Sequence, residues 1–380
     1  MSRRSRHMIF AVLLIGALAA VSPDGAVAAT AACTSIGNMA TIDYQVGGVP
    51  QTQLSTGASA TFTVGNKVDL TVTRQDGSIV TVVTGASGTG APLTFWVTNA
   101  GNATQRYTLS ALNYGPTETN PFGGGAPDAF DATVGYDIHV DTGGGYGGNT
   151  TTIPSLATGA TATVQIRANT IPLAQPNGDI AVVALKAQTI NTDNSIVSVS
   201  TGTGTVFNAG GGVVCAGIDI VLADIDSDAG QANDAQYDGA YLAKDAYQVQ
   251  AVVLTVLKSS ATITDPVFGT AKVPGAVIEY AVRVTRTGGA GSATGIVITD
   301  TVPATTAPVA DQYGGTGEVQ RVTFNATGSV TTTTDLAFGV DADLSSWNTA
   351  AGSTITAACG AFVLDEAGDY CEIKFRVAIQ

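Results

Sequence analysis

The sequence predicts an all-β protein in which two β-sandwiches follow one another along the chain. Nearly every apolar run is short, rich in Val, Ile, Thr or Tyr, and bounded by Gly, Asn, Asp or Pro, as strands between turns are. Apolar residues at helical spacing over ten or more positions are absent after the N-terminal segment. A faint internal repeat, in which VTNAG at 97–101 is similar to VTRTG at 284–288, indicates two related sandwiches. In the first of these, the clearest predicted strands are 60–64, 68–73, 79–83, 93–98, 106–109, 135–140, 161–166 and 180–187.

The most informative stretch of the chain is 273–303, which has the pattern of a strand, a turn and a second strand. A Pro-Gly pair precedes alternating residues over 277–284, and a glycine-rich tip at 288–291 ends that run. A second apolar run at 296–298 is followed by Asp300, Thr301, Val302 and Pro303, and proline ends strands because it lacks a backbone donor. Such a unit predicts part of a sandwich and contains no catalytic motif.

This stretch resembles the conserved repeat domain of bacterial and archaeal cell-surface proteins, an immunoglobulin-like module of unknown function. Arg286 stands where that family usually has Asn, and the resemblance becomes looser toward residue 380. It implies an immunoglobulin-like sandwich on a secreted or surface scaffold, and it implies no catalytic residues. The matching residues are Pro274, Gly275, Ile278, Tyr280, Val282, Val284, Gly288, Ile296, Ile298, Asp300, Val302 and Pro303.

The N-terminus has the three parts of a secretory signal. Arg3, Arg4 and Arg6 precede an apolar run over 8–20, and Ala26-Val27-Ala28 supplies the small residues of a cleavage site after Ala28. The alternative is an N-terminal membrane anchor, for which the run is short. We therefore expect an exported chain that does not span the membrane and is extracellular, on the cell surface or periplasmic.

The chain divides into four predicted segments. Glycine-rich excursions at 120–131 and 141–152 explain the length of the first sandwich, and the alternative is that it consists of two small domains. The segments are a signal peptide (1–28), a first sandwich with long glycine-rich loops (29–215), an acidic joint (216–247) and a second sandwich (248–380).

The charge of the chain is strongly acidic and sparse. The formal net charge is −14, only 12% of the residues are charged, and removal of the signal leaves 13 basic and 29 acidic residues. Such a surface repels nucleic acid and anionic lipid. The expected partners are other cell-surface proteins or further copies of the chain, joined through exposed strand edges. The alternating segment 41–46 is the candidate strand donor.

The four cysteines are an even number in a chain that we expect to be exported. Cys359 and Cys371 flank a Gly/Asp turn, so a hairpin disulfide is natural, while Cys33 and Cys215 bracket the first half. Three pairings are possible, and we favour Cys33–Cys215 with Cys359–Cys371. A metal site is the alternative, but no two cysteines have CxxC spacing.

The acidic joint suggests a calcium site. Asp224, Asp226 and Asp228 alternate as they do in calcium loops, and Asp234 follows. Ala229 and Ala235 stand where a helix–loop–helix site has Gly and Glu, so a looser calcium clip is the hypothesis. The alternative is a solvated acidic linker. No other cofactor is expected.

No residue set predicts catalysis, and we expect the chain not to be an enzyme. His139 is the one histidine after the signal, and it shares a predicted strand face with Asp137 and Asp141. An alternative function is an extracellular binding module for a glycan or a surface protein, with Tyr114, Tyr136 and Tyr146 near its loops. Of Phe95 and Trp96, one should fill the core and the other face outward, and Trp347 is expected to pack.

Overall fold

A computed structural model describes residues 29–57, 59–86, 91–124, 127–133, 135–207, 213–227, 234–263, 267, 269–309, 313, 319–337, 345–347 and 354–380. These residues form strands and turns, with no α-helix among them. The predicted all-β class is confirmed. The predicted signal peptide lies outside the described residues.

In chain order, the strands are β1 (Ser35–Asn38), β2 (Thr41–Ile42), β3 (Gln45–Val46), β4 (Val49–Pro50), β5 (Leu54–Ser55), β6 (Ala60–Thr63), β7 (Asn66–Val68), β8 (Leu70–Arg74), β9 (Val80–Val82), β10 (Leu93–Asn99), β11 (Gln105–Asn113), β12 (Tyr136–Asp141), β13 (Thr152–Leu156), β14 (Thr161–Ala168), β15 (Ile180–Ile190), β16 (Ser200–Phe207), β17 (Val213–Leu222), β18 (Ala240–Val249), β19 (Val252–Thr262), β20 (Val277–Gly289), β21 (Val297–Thr301), β22 (Thr306–Pro308), β23 (Val319–Asn325), β24 (Val330–Leu336), β25 (Ser345–Trp347), β26 (Thr354–Ala358) and β27 (Tyr370–Ile379).

The first sandwich packs a four-stranded sheet, ordered β12-β14-β10-β8, on a five-stranded sheet, ordered β13-β11-β15-β18-β9. Alternation along β10 explains the packing, because successive side chains of a strand point to opposite faces. Phe95 is fully buried against the facing sheet, while Trp96 is 43% exposed. Phe95 is therefore the core residue of that pair.

Strand β15 is buried on both faces, which accounts for its unbroken apolar sequence. One face belongs to the main core, and Ile180, Val182 and Ala184 of the other face pack with Tyr114. The loop that contains Asp128 is tied to this outer face, since Oδ1 of Asp128 accepts a hydrogen bond from the amide of Val182 at 2.6 Å. The end of the glycine-rich excursion at 120–131 thus helps to cover the outer face of the sheet.

The segment 216–247 contains β18, a strand of the first sandwich, and most of β17, a strand of a separate three-stranded sheet ordered β16-β17-β7, which corrects the predicted joint. β18 pairs with β15 in register from Gln188↔Ala240 to Ile180↔Gln248, and β17 pairs with β16 and, in parallel, with β7. The acidic residues conceal these strands in the sequence, because carboxylates such as that of Asp245 are spaced among the apolar positions. Residues 240–247 are therefore part of the five-stranded sheet and not a linker.

The second sandwich packs a six-stranded sheet on a three-stranded sheet. The larger sheet has the order β19-β20-β27-β23-β24, with β22 also on β27, and the smaller is β21-β26-β25. β20, a turn and β21 reproduce the strand pair predicted at 273–303. Arg286, which replaces the family's Asn, is buried, and its guanidinium donates hydrogen bonds to the carbonyls of Gly289 and Gly291 in that turn.

Both disulfides have the predicted pairing. Cys33 is joined to Cys215 with 5.8 Å between the Cα atoms, and Cys359 is joined to Cys371 with 6.1 Å. Cys359 and Cys371 belong to the buried core of the second sandwich.

The two sandwiches meet beside Ala251. The side-chain oxygen of Asn177, in a loop of the first sandwich, accepts hydrogen bonds from the amides of Ala251 and Ala290, each at 3.0 Å. A loop of the first sandwich is thereby tied to the turn between β20 and β21.

Candidate interaction surface

Residues 35–57 and 59–63 form a β-hairpin, called the arm (35–63) below, whose strands pair with neither sandwich. β1 pairs with β6, β2 with β5 and β3 with β4, and none of these six strands pairs with another described strand. The tip is Gly47-Gly48, with φ values of 59° and 83°. Positive φ at both central residues defines the two-residue turn that suits a hairpin twist, and glycine adopts it without strain.

The arm is exposed along its whole described length, although much of it is apolar. Its apolar side chains lie opposite one another across the ribbon, and opposite residues in an antiparallel pair share a face. An isolated two-stranded hairpin is marginally stable in water, and an uncovered apolar patch indicates a binding surface. The facing pairs are Ile36–Phe62, Ile42–Leu54 and Val46–Val49, with side chains 37–62% exposed.

Asn102 holds both ends of the arm to the first sandwich. Its amide nitrogen Nδ2 donates to the carbonyls of Thr30, at 3.2 Å, and Gly65, at 2.9 Å. Its Oδ1 accepts a hydrogen bond from the amide of Lys67 at 2.7 Å. Thr30 precedes the arm and Gly65 follows it, so one buried side chain fixes the entry and the exit of the hairpin.

The Cys33–Cys215 disulfide fastens the same base. Cys33 lies two residues before the arm, and its amide donates to the carbonyl of Val64 at 2.9 Å. Cys215 lies on β17. The base of the arm is therefore held by a disulfide and by hydrogen bonds, while the strands of the arm are exposed to solvent.

The second exposed feature is β19, the edge strand of the six-stranded sheet. Its eleven residues pair on one side with β20, and the other side has no partner among the described strands. An open edge presents unpaired N–H and C=O groups to any strand that approaches. Four large apolar side chains of β19 are exposed by 39–68%: Val253, Leu254, Val256 and Leu257.

The facing sheet does not cover the whole of β19. Val256 lies opposite Val284 of β20, so the two side chains share a face of the sheet. Val284 is 7% exposed in the core, whereas Val256 is 68% exposed. The three-stranded sheet reaches β19 at Lys258, which forms an ion pair with Asp300 of β21, but it leaves Val256 exposed. Apolar side chains are therefore exposed on both faces of β19.

The acidic residues predicted to bind calcium are only partly brought together. The buried carboxylate of Asp224 accepts hydrogen bonds from the amides of Asp238, at 3.1 Å, and Gly239, at 2.8 Å. Asp226 accepts one from the amide of Leu242 at 2.8 Å. These carboxylates order the loop that leads into β18.

Asp234 has a different environment, and Asp228 lies outside the described residues. The buried carboxylate of Asp234 is 3.5 Å from Nζ of Lys186, and burial raises its pKa to about 6. No group of three or more metal-binding side chains lies within the part of the chain that the structure describes. Calcium binding stays a prediction, which the melting temperature in calcium and in chelator would test.

His139 and its acidic neighbours organise their own loop. Nδ1 of His139 donates to the carbonyl of Gly147 at 2.8 Å, and Asp141 accepts hydrogen bonds from the amides of Gly143 and Gly145. Asp137 accepts one from Asn149 at 2.7 Å. These polar groups hold a glycine-rich loop against β12.

The three tyrosines considered for glycan binding do not form a platform. Tyr114 is buried under the five-stranded sheet, and the hydroxyl of the half-buried Tyr136 donates to Asn113. Tyr146 is 40% exposed. The side chain of Trp347 lies outside what the structure describes.

Asp245 predicts a pH dependence of stability. It is fully buried on β18, and burial, with the negative charge of Asp76 as a smaller cause, raises its pKa to about 8. A raised pKa in the folded state contributes stability below the unfolded pKa, near 4, and that stability is lost as pH rises through about 8. Asp245→Asn, which is neutral at every pH, should be more stable than the wild type at pH 8.5, by on the order of a few kcal/mol, and similar to it at pH 4.5.

Melting temperatures of the two proteins from pH 4.5 to 8.5 check this expectation. Asp43→Asn provides the control, because it makes the same substitution at an exposed site. Parallel profiles for the wild type and Asp245→Asn would show that Asp245 is not the titrating group.

Comparisons with known proteins identify no family. No family model matches the chain, and a search of the curated proteins found no match. One similar solved structure is the C-terminal domain of the AgI/II polypeptide BspA of Streptococcus agalactiae, with 8% identity and a TM-score of 0.28, covering 82% of this chain and 91% of that one. Another is a partial N-terminal region of an enterococcal surface protein, with 9% identity and a TM-score of 0.20, covering 83% and 84%. At these TM-scores neither structure informs the function of this chain.

In the part of the chain that the structure describes, no helix is long and apolar enough to cross a membrane.

Sequence reasoning identified part of this surface and missed the rest. The alternation at 41–46 lies in the outgoing half of the arm, and the predicted strand 60–64 overlaps β6, which lies in the arm and not in the first sandwich as expected. β4, β5 and the anchoring role of Asn102 were not predicted. Gly47-Gly48 between two extended runs was the available signal for a hairpin. The exposure of β19 has no comparable signal, because its sequence resembles that of a buried strand.

Proposed function

We propose that the chain is a non-catalytic, exported structural or interaction protein that acts as a spacer or assembly subunit at the cell surface. The arm is the observation that carries this proposal. The arm has three exposed apolar pairs and is fixed at its base by Asn102 and by a disulfide. An anchored ribbon with uncovered apolar side chains is suited to binding another protein.

The two disulfides support a location outside the cytosol. Disulfides form and persist in oxidising environments outside the cytosol, and both bridges in this chain close within one molecule. Together with the predicted signal peptide, they favour an extracellular, cell-surface or periplasmic location. The acidic surface suits a secreted protein with few charged residues.

Light scattering after size-exclusion chromatography tests the function, with the oxidised chain 29–380 over a range of concentrations. We expect species larger than a monomer, and negative-stain microscopy of those fractions should show regular particles or filaments. In parallel, the protein is incubated with washed envelopes of cells that produce it. A monomer at every concentration that is also not retained on the envelopes would contradict a structural or interaction role.

A further inference from the structure

We propose that the arm of one copy of this chain adds to the β19 edge of a second copy, which joins the first sandwich of one molecule to the second sandwich of the next. The proposal rests on the structural function proposed above and names its partner. The arm offers strands with open edges and apolar pairs, and β19 offers an open edge with exposed apolar side chains. Pairing the arm with β19 would satisfy the open backbone groups of both segments and cover apolar side chains of both.

The charges favour another copy of this chain as the occupant. Without the signal each copy has 13 basic and 29 acidic residues, so two copies repel each other over most of their surfaces. The arm and β19 are exceptions, since Asp43 is the only charged residue of 35–63 and Lys258 the only one of β19. Copies can therefore approach through these two segments with little like-charge repulsion.

The same charges favour pairing between unlike segments. Contact of two arms would bring two Asp43 carboxylates together, and contact of two β19 edges would bring two Lys258 side chains together. Pairing an arm with β19 instead brings Asp43 of one copy to the segment of the other copy that carries Lys258. Within its own chain, Lys258 also forms an ion pair with Asp300 at 2.7 Å. β19 spans eleven residues, and the outgoing half of the arm offers three shorter strands along 35–46, namely β1, β2 and β3.

The contact propagates, because its two halves lie on different sandwiches of one chain. A contact between unlike surfaces leaves one arm and one β19 edge free at the two ends of every open assembly. Further copies can add there, which gives a filament, or the two ends can meet, which gives a ring. Strand addition would pair the open backbone groups of β19 and cover Val256 and Leu257, which are 68% and 65% exposed.

Two substitutions and their mixture test the proposal. Ile42→Lys places a charge in the arm, and Val256→Lys places one on β19; both wild-type side chains are more than 60% exposed, so the folds should persist. Each variant alone should be monomeric in light scattering at concentrations at which the wild type assembles. An equimolar mixture should give a 1:1 dimer, because the intact arm of Val256→Lys can bind the intact β19 of Ile42→Lys.

Val330→Lys is the matched control, since Val330 is 55% exposed on β24, the opposite edge strand of the same sheet. It should assemble as the wild type does. Melting temperatures show whether each variant is folded, and Val49→Lys with Leu257→Lys forms a second pair if one variant is not.

Four results would overturn the proposal. Assembly of Ile42→Lys alone would indicate contacts between two β19 edges, and assembly of Val256→Lys alone would indicate contacts between two arms. A mixture that stays monomeric would exclude the contact between arm and β19. If the wild type remains monomeric but is retained on envelopes, this self-assembly is excluded while the proposed interaction role stands.

Discussion

Replacement of Cys33 and Cys215 by serine should lower the free energy of unfolding by about 5 kcal/mol, the largest effect that we expect from one pair of substitutions. The bridge spans a sequence separation of 182 residues, and the entropy that a cross-link removes from the unfolded chain grows with the length of the closed loop. The same change releases the arm from β17. Denaturant unfolding followed by circular dichroism measures the stability, and light scattering measures the assembly.

The second disulfide provides the comparison for the first. Cys359 and Cys371 are separated by 12 residues, so loss of the loop constraint alone should cost about 3 kcal/mol, with a further cost from the buried site that the two sulfurs fill. Cys359→Ser with Cys371→Ser should spare the arm and therefore assembly, provided that the second sandwich stays folded. A loss below about 1 kcal/mol for the Cys33–Cys215 pair would contradict the importance given to its long loop.

Asn102→Ala should destabilise the protein by roughly 3 kcal/mol and loosen the arm. The side chain makes three hydrogen bonds, and its removal leaves the amide of Lys67 and the carbonyls of Thr30 and Gly65 without this partner. Because these three hydrogen bonds are partly buried and each contributes about 1 kcal/mol, the effect should exceed that of a surface substitution. Hydrogen exchange over 35–63 should become faster relative to the sandwich cores.

Asn99 is a matched control for Asn102. It is fully buried, and its side chain also makes three hydrogen bonds, to Gly101, Ala103 and Leu156, none of which lies in the arm or in the segments that flank the arm in sequence. Asn99→Ala should therefore cost a similar free energy without a selective change in the exchange of the arm. Equal acceleration of arm exchange in both variants would show that Asn102 has no special role at the arm base.

The fold class was predictable because alternation along a strand reports burial directly. In β10 and β14 alternate residues are buried, and the predicted segments 93–98 and 161–166 coincide with these strands. The hairpin disulfide was also predictable, since cysteines 12 residues apart flank a turn. Both features depend only on residues that are close together in the sequence.

Pairing between distant segments was not predictable. β17 pairs in parallel with β7, and β18 pairs in parallel with β9, across more than a hundred residues. The spaced carboxylates of 216–247 gave that segment the composition of a linker, although Asp224 and Asp245 are buried among strands. Composition reports the average exposure of a segment and misses acids that are buried with specific partners.

The two halves of the candidate surface differ in the same way. The outgoing half of the arm alternates over 41–46, whereas in the returning half, which is rich in Thr and Ser, only 60–64 has the pattern of a strand. The sequence of β19, VVLTVLK, is typical of a central strand. Only the order of strands in the sheet shows that it lies at an edge.

Hydrogen exchange of the oxidised wild-type chain, measured when dilute and when assembled, tests the central claim most directly. Amides of 35–63 and of β19 should become protected together on assembly, because strand addition pairs their open backbone groups, while β24 at the opposite edge should not change. Assembly that protects other segments and leaves the arm and β19 exchanging as in the monomer would contradict the account.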